Sequence, residues 1–148
     1  MKVTKIFTFD AGHRLSNYEG KCKHLHGHTY TLEITVEGGL DKTGMVMDFG
    51  ELKRIFKEFI EPKFDHKFML NKNDEENCKE FDNVNGLTSH YQWFQDSICW
   101  VDYNPTAENI VTDIFVMVKN KLLELPYPVE ISKVKLFETP TSFAEITI

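Results

Sequence analysis

His13 closes one stretch of alternating polar and apolar residues, and His26 and His28 open another. Residues 3–13 read Val-Thr-Lys-Ile-Phe-Thr-Phe-Asp-Ala-Gly-His, with Val3, Phe7, Phe9 and Ala11 on one parity. That is the period of a strand with one buried face. From His28 to Val36 the alternation returns: Tyr30, Leu32, Ile34 and Val36 point one way, Thr29, Thr31, Glu33 and Thr35 the other. His13 shares the parity of the first buried set, and His26 and His28 that of the second. If the two strands pair antiparallel, three imidazoles converge at one edge of the core.

The rest of the pattern is helical and then extended. Asp48 is placed to cap a helix with Glu51 completing a capping box, and Leu52, Ile55, Phe56, Phe59 and Ile60 fall at helical spacing before Pro62 closes it. A second helix begins after Pro105, with Thr106 as N-cap and Glu108 in its first turn. Its inner stripe is Ile110, Ile114, Val118 and Leu122, widened by Val111 and Phe115 and bounded by Pro126 and Pro128. Two short strands follow, Glu130–Glu138 and Ser142–Ile148. The expected order is ββααββ: an α+β domain with a four-stranded antiparallel sheet and two helices on one face.

The chain of 148 residues, 41% of them hydrophobic and 12 of them Phe, has the size and apolar content of one domain spanning 1–148. The segment Asn71–Asn104 is its irregular part, rich in Asn and Asp and carrying His90, Trp93, Phe94 and Trp100. A connection that long in a small domain is often functional. The net charge of −6 is spread along the chain, which argues against a nucleic-acid surface. Met1–Asp10 alternates like a strand rather than a signal peptide, and no apolar run approaches the roughly 20 residues of a membrane span. A soluble, cytoplasmic protein is expected. Cys22, Cys78 and Cys99 make an odd count without framework spacing, which argues against a disulfide scaffold.

Three imidazoles suit zinc, and three protein ligands leave a fourth position open for water or substrate, as in a catalytic site. A lone histidine on an apolar face is usually a hydrogen-bonded core residue; three of matching parity, two in His-Gly-His, point to a metal. Gly27 between two ligands lets backbone approach closely. His24 is either a fourth ligand or, the preferred reading, a surface or substrate-contact residue.

Phe9-Asp-Ala-Gly-His13, Cys22-x3-His26-Gly-His28, Asp65-His66, Pro105-Thr-Ala-Glu-Asn109 and Glu138-Thr139 together resemble the 6-pyruvoyl-tetrahydropterin synthase superfamily. The Cys-x3-His-Gly-His spacing resembles its bacterial and archaeal branch, the 6-carboxy-tetrahydropterin synthases. The resemblance implies a tunnelling fold (T-fold) and a homo-oligomer, commonly a hexamer, with active sites at subunit interfaces. It implies a zinc-dependent carbon–carbon lyase that takes 7,8-dihydroneopterin triphosphate to 6-carboxy-5,6,7,8-tetrahydropterin, acetaldehyde and triphosphate, on the route to queuosine. The alternatives are a pyruvoyl-forming synthase, which eliminates triphosphate and keeps the side-chain carbons, and a non-catalytic zinc- or pterin-binding module.

Carried onto this chain, the resemblance makes His13, His26 and His28 the zinc ligands and Cys22 the base. Asp65 and His66 become a proton relay. Glu138 becomes the acceptor for the amino-pyrimidinone edge of the pterin. Thr106 and Glu108 are weaker candidates for the pterin pocket, since helix capping accounts for them nearly as well. Lys21, Lys23 and Lys67 are candidate partners for the triphosphate. Compact family members join the Asp-His pair to the second helix by a shorter loop, which makes residues 71–104 an insertion of roughly 20 residues beyond that pattern.

Overall fold

The structure, a computed structural model, describes residues 1–79 and 92–148. His90, singled out above, lies outside the described residues. The two alternating segments form β1 (Lys2–His13) and β2 (His26–Gly38), paired antiparallel from Lys2 opposite Glu37 to His13 opposite His26. β2 therefore begins at His26, two residues before the expected start. β5 (Val129–Thr139) and β6 (Ser142–Thr147) follow the second helix and extend the sheet beyond β2 in antiparallel order.

The sheet is larger than the expected four strands. β3 (Lys67–Asn71) and β4 (Ile98–Val101) add to its other side, in parallel, giving the order β4-β3-β1-β2-β5-β6. The sheet is thus six-stranded and mixed. Both added strands flank or lie within the long irregular segment. They are five and four residues long, too short for their alternation to stand out from a loop.

The first helix also departs from expectation. α1 (Phe49–Ile55) starts with the Asp48 carboxylate accepting from the Gly50 amide at 2.7 Å, but the Glu51 carboxylate turns to Arg54 instead of closing a capping box. The helix then widens into a π turn over Phe56–Ile60 and continues as α2 (Glu61–Phe64), with Pro62 inside it. In a regular α-helix the Pro62 ring would press on the carbonyl four residues back. The wider turn relieves that clash, so Pro62 bends the path without ending it. α3 (Gln92–Asp96) is a short turn before β4, and α4 (Ala107–Leu123) is the long second helix.

α1, α2 and α4 cover one face of the sheet. Phe7, Phe9, Tyr30, Leu32, Ile34, Val36, Val134 and Leu136 meet Leu52, Ile55, Phe56, Ile60 and Phe64, and the expected α4 stripe of Ile110, Ile114, Val118 and Leu122 is buried among them. Phe7 stacks on Phe56 with centroids 4.3 Å apart, and Phe9 on Tyr30 at 5.1 Å. Each such side chain removed from water contributes roughly 1.5–3 kcal/mol. Because the histidines continue the parity of this buried set, they stand on the same face, at the end where the helical cover stops. Among the described residues no helix is long and apolar enough to cross a membrane.

Candidate metal centre and its surroundings

Strand register alone brings the three imidazoles together. His13 lies opposite His26, and His28 lies opposite Ala11 one step inward on the same face. Their ligand atoms all fall within 4.8 Å of one another. His13 is 1% exposed, and its Nδ1 stands 2.7 Å from the Pro105 carbonyl oxygen. A carbonyl only accepts, so Nδ1 carries the proton and Nε2 is bare in the neutral ring. His26 repeats the arrangement, donating from Nδ1 to the His24 carbonyl at 2.7 Å.

The two Nε2 atoms are 3.1 Å apart. His28 Nε2 is buried and has no hydrogen-bond partner among the described residues. Glu138 Oε1 lies 3.5 Å from His13 Nε2 and 4.0 Å from His28 Nε2. Electron-rich atoms this close repel one another unless a cation sits among them, and unpaired buried polar atoms are costly. The donor set therefore fits a divalent ion that prefers nitrogen ligands, with the His13 and His26 tautomers already fixed by second contacts.

Gly27 explains how the strands come so close. A Cβ there would meet the Ala11 carbonyl oxygen at 3.1 Å, and that carbonyl is held in the β1–β2 ladder. Gly27→Ala is expected to force the pair apart, costing about 1–3 kcal/mol of overpacking and weakening metal affinity. Chemical denaturation and metal titration check the two effects separately.

Burial lowers the pKa of His13 and His28 below the ordinary 6.5. The cationic forms of neighbouring imidazoles push the same way, while the Pro105 carbonyl beside His13 and the Glu138 carboxylate beside both oppose it. Just below pH 6.5 the unfolded chain takes up protons that the folded chain refuses. The metal-free protein is therefore expected to gain stability as pH rises toward 6.5 and to level off above it. Urea midpoints at about pH 5.5 and about pH 7.5 measure the difference.

Cys22 is half-buried in a 3₁₀ turn, Lys21–Lys23, between β1 and β2. Its carbonyl accepts from the Leu15 amide at 2.9 Å, which folds the turn back over the end of β1. The buried Tyr30 hydroxyl has no hydrogen-bond partner among the described residues. Its pKa is pushed far up, first by burial and then by its electrostatic interactions with Glu138 and Cys22. Neither Tyr30 nor the Pro105 carbonyl stood out in the sequence as a site group. The buried parity of Tyr30 and the Pro-Thr-x-Glu-Asn motif were the available signals.

Asp65 and His66 follow α2. The Asp65 carboxylate accepts from the Asp10 amide at 2.9 Å and from His66 Nδ1 at 2.9 Å, while the His66 amide donates to the Asp10 carbonyl. Burial pulls the Asp65 pKa up, but the Asp10 amide and the imidazole outweigh it and hold the carboxyl below its ordinary value. His66 adopts φ +57°, an uncommon conformation for a residue with a Cβ, and its side chain is 79% exposed. Such strain, about 1–3 kcal/mol, persists where the surroundings impose it. His66 lines an open cleft of about 520 Å³ with Asp10, Thr29, His28, Lys67 and Ser97. Among the described residues no hydrogen bond or ion pair joins it to Cys22.

Glu138 sits at a β-bulge between β5 and β6, where the register slips between Phe137 and Thr139. The bulge re-aims its side chain toward the imidazoles. Thr106 caps α4, accepting from the Asn109 amide at 3.4 Å, and Glu108 is exposed in the first turn. His24 is exposed and offers the cluster its backbone carbonyl; its imidazole is not part of the group of converging ligand atoms. Lys67 donates to the Asp96 carbonyl.

Residues 2–148 match a family described as 6-pyruvoyl tetrahydropterin synthase. The 6-carboxy-5,6,7,8-tetrahydropterin synthase of Rickettsia felis is 37% identical over 150 residues, covering 99% of each chain. Among solved structures, an uncharacterized protein from Wolinella succinogenes superposes with a TM-score of 0.83 at 26% identity, over 99% of this chain and 97% of that one. The Caenorhabditis elegans 6-pyruvoyl tetrahydropterin synthase has the same fold, with a TM-score of 0.69 at 23% identity over 99% and 94% of the two chains. The chain belongs to the 6-pyruvoyl tetrahydropterin synthase family, with the α+β T-fold and the pterin chemistry of that family. The segment 71–104 lies inside the matched region.

Proposed function

We propose that this protein is a zinc-dependent lyase converting 7,8-dihydroneopterin triphosphate to 6-carboxy-5,6,7,8-tetrahydropterin, with release of acetaldehyde and triphosphate, on the route to queuosine. The 6-carboxy-5,6,7,8-tetrahydropterin synthases similar to it along its whole length support the reaction. The observation that carries the catalytic reading is the convergence of three imidazole nitrogens, one of whose rings bonds the His24 carbonyl at the end of the Cys22 turn.

His13, His26 and His28 would hold the zinc. When bound, the ion supplies Lewis acidity, which lowers the pKa of a substrate hydroxyl. Cys22, on its short turn, takes a proton from the substrate side chain. Asp65 keeps His66 in the tautomer whose Nδ1 faces the carboxylate, which leaves Nε2 to receive and return protons. Glu138 accepts from the amino-pyrimidinone edge of the pterin, with Thr106 and Glu108 near the same pocket. A binding module would need neither a thiol nor an oriented imidazole.

We read residues 1–148 as one domain in which 71–104 is an insertion, working as a cytoplasmic homo-oligomer, a hexamer in the form common to such folds. The exposure of His66 supports a site completed by a neighbouring subunit. The deciding experiment incubates zinc-loaded protein with 7,8-dihydroneopterin triphosphate and identifies the products by mass spectrometry. Carboxy-tetrahydropterin with acetaldehyde is the expected result. Pyruvoyl-tetrahydropterin without acetaldehyde would assign the chain to the triphosphate-eliminating synthases instead.

A further inference from the structure

The turn that carries Cys22 has little to hold it in place. None of its three residues is buried, no side chain caps it, and its own backbone bonds are Lys23 to Gly20 at 3.2 Å and His24 to Lys21 at 3.1 Å. A 3₁₀ turn of this length is marginal by itself. Besides the His26 bond to the His24 carbonyl at its end, it is held by residues 14 and 15, directly after His13. The Leu15 amide donates to the Cys22 carbonyl, and Arg14 Nε donates to the Lys23 carbonyl at 3.0 Å.

The rest of the Arg14 guanidinium reaches away from the turn, into the segment after β3. Its terminal nitrogens donate to Asn77 and Glu76, and to Asp74 at 3.4 Å. Asn77 is 2% exposed and donates in turn to the Asn71 carbonyl at the end of β3. The Arg14 and Asp74 side chains are 19% and 12% exposed, whereas Glu76 is 68% exposed and contributes little. The partly buried Asp74 and the buried Asn77 are therefore the far anchor. Only a planar fork with separate donors spans a backbone carbonyl and two side chains at once; an ammonium does not.

We propose that Arg14, anchored by Asp74 and Asn77, is a positioning residue that sets where the Cys22 turn stands beside the three histidines. The start of the 71–104 segment thereby acts on the site without contacting substrate. This rests on the reading of Cys22 as the base.

The test uses full-length, zinc-loaded Arg14→Lys and Asn77→Ala. It measures zinc content, kcat, KM and the rate at which iodoacetamide alkylates Cys22, assigned by peptide mass spectrometry. A misplacement of the order of 1 Å is expected to lower kcat about 10- to 100-fold in each variant. Zinc content and KM should stay near the parent's, and the Cys22 alkylation rate should change several-fold. Unchanged kcat and alkylation in folded variants, whatever happens to their melting temperature, would make the brace merely structural and overturn the proposal. Loss of zinc would overturn it too, by routing the effect through His13. Cys22→Ala measured alongside separates the two readings. Full turnover there would end the role of Cys22 as base, while the alkylation rates would still decide whether Arg14 positions the sulfur.

Discussion

His28→Ala is expected to leave a folded chain that no longer retains zinc and turns substrate over only at the background rate. Among the described residues the buried His28 Nε2 has no hydrogen-bond partner, so removing it breaks none there. The side chain is 21% exposed, so its truncation leaves no closed cavity. Metal-free stability should change by less than about 1 kcal/mol. His13→Ala behaves differently. It strips the Pro105 carbonyl of its partner and empties a site that is 1% exposed, so metal-free stability falls by about 1–3 kcal/mol as activity is lost. Elemental analysis and thermal unfolding of the two variants, each without added zinc, separate the ligand from the ligand that also ties β1 to the segment before α4. A His28→Ala chain that still bound zinc would remove His28 from the ligand set.

The second large effect concerns Cys22 and His66, the groups proposed to handle protons. Cys22→Ala and His66→Ala are each expected to lower kcat by about 10²- to 10⁴-fold with zinc still bound, the usual range for a lost general base or acid. Mixing them is more informative. If Cys22 of one subunit works with His66 of its neighbour, random reassembly of equal amounts restores about a quarter of wild-type activity, because that share of sites draws both intact residues. If the pair works within one chain, no mixed oligomer contains an intact site and activity stays at the level of the single variants. The exposed imidazole of His66, held at Nδ1 by Asp65, favours restoration.

The three-histidine cluster was legible in the sequence because it depends on parity. Period-2 alternation in β1 and β2 assigns a face to every residue, and histidines at the ends inherit the face of Phe9 and Tyr30. What parity cannot supply is the set of second contacts. The Pro105 carbonyl that fixes His13 comes from 92 residues away, and the bulge that turns Glu138 toward the imidazoles is a register slip with no residue signature. β3 and β4 were illegible for a different reason. Met69 and Leu70 are both fully buried, so β3 does not alternate, and its parallel partner β4 arrives through a long connection. Pro62 misled because the π turn before it is not written in composition. The extra turn delivers Phe64 to the core against Phe9 and brings Asp65 to the Asp10 amide.

If His13, His26 and His28 hold one catalytic zinc, as proposed, the ion can be seen directly. The most direct measurement is a crystal of zinc-loaded protein with diffraction recorded on both sides of the zinc absorption edge. An anomalous peak is expected among the three Nε2 atoms, absent from His28→Ala crystals grown the same way. No peak there, or one that persists in His28→Ala, would overturn the three-histidine zinc site.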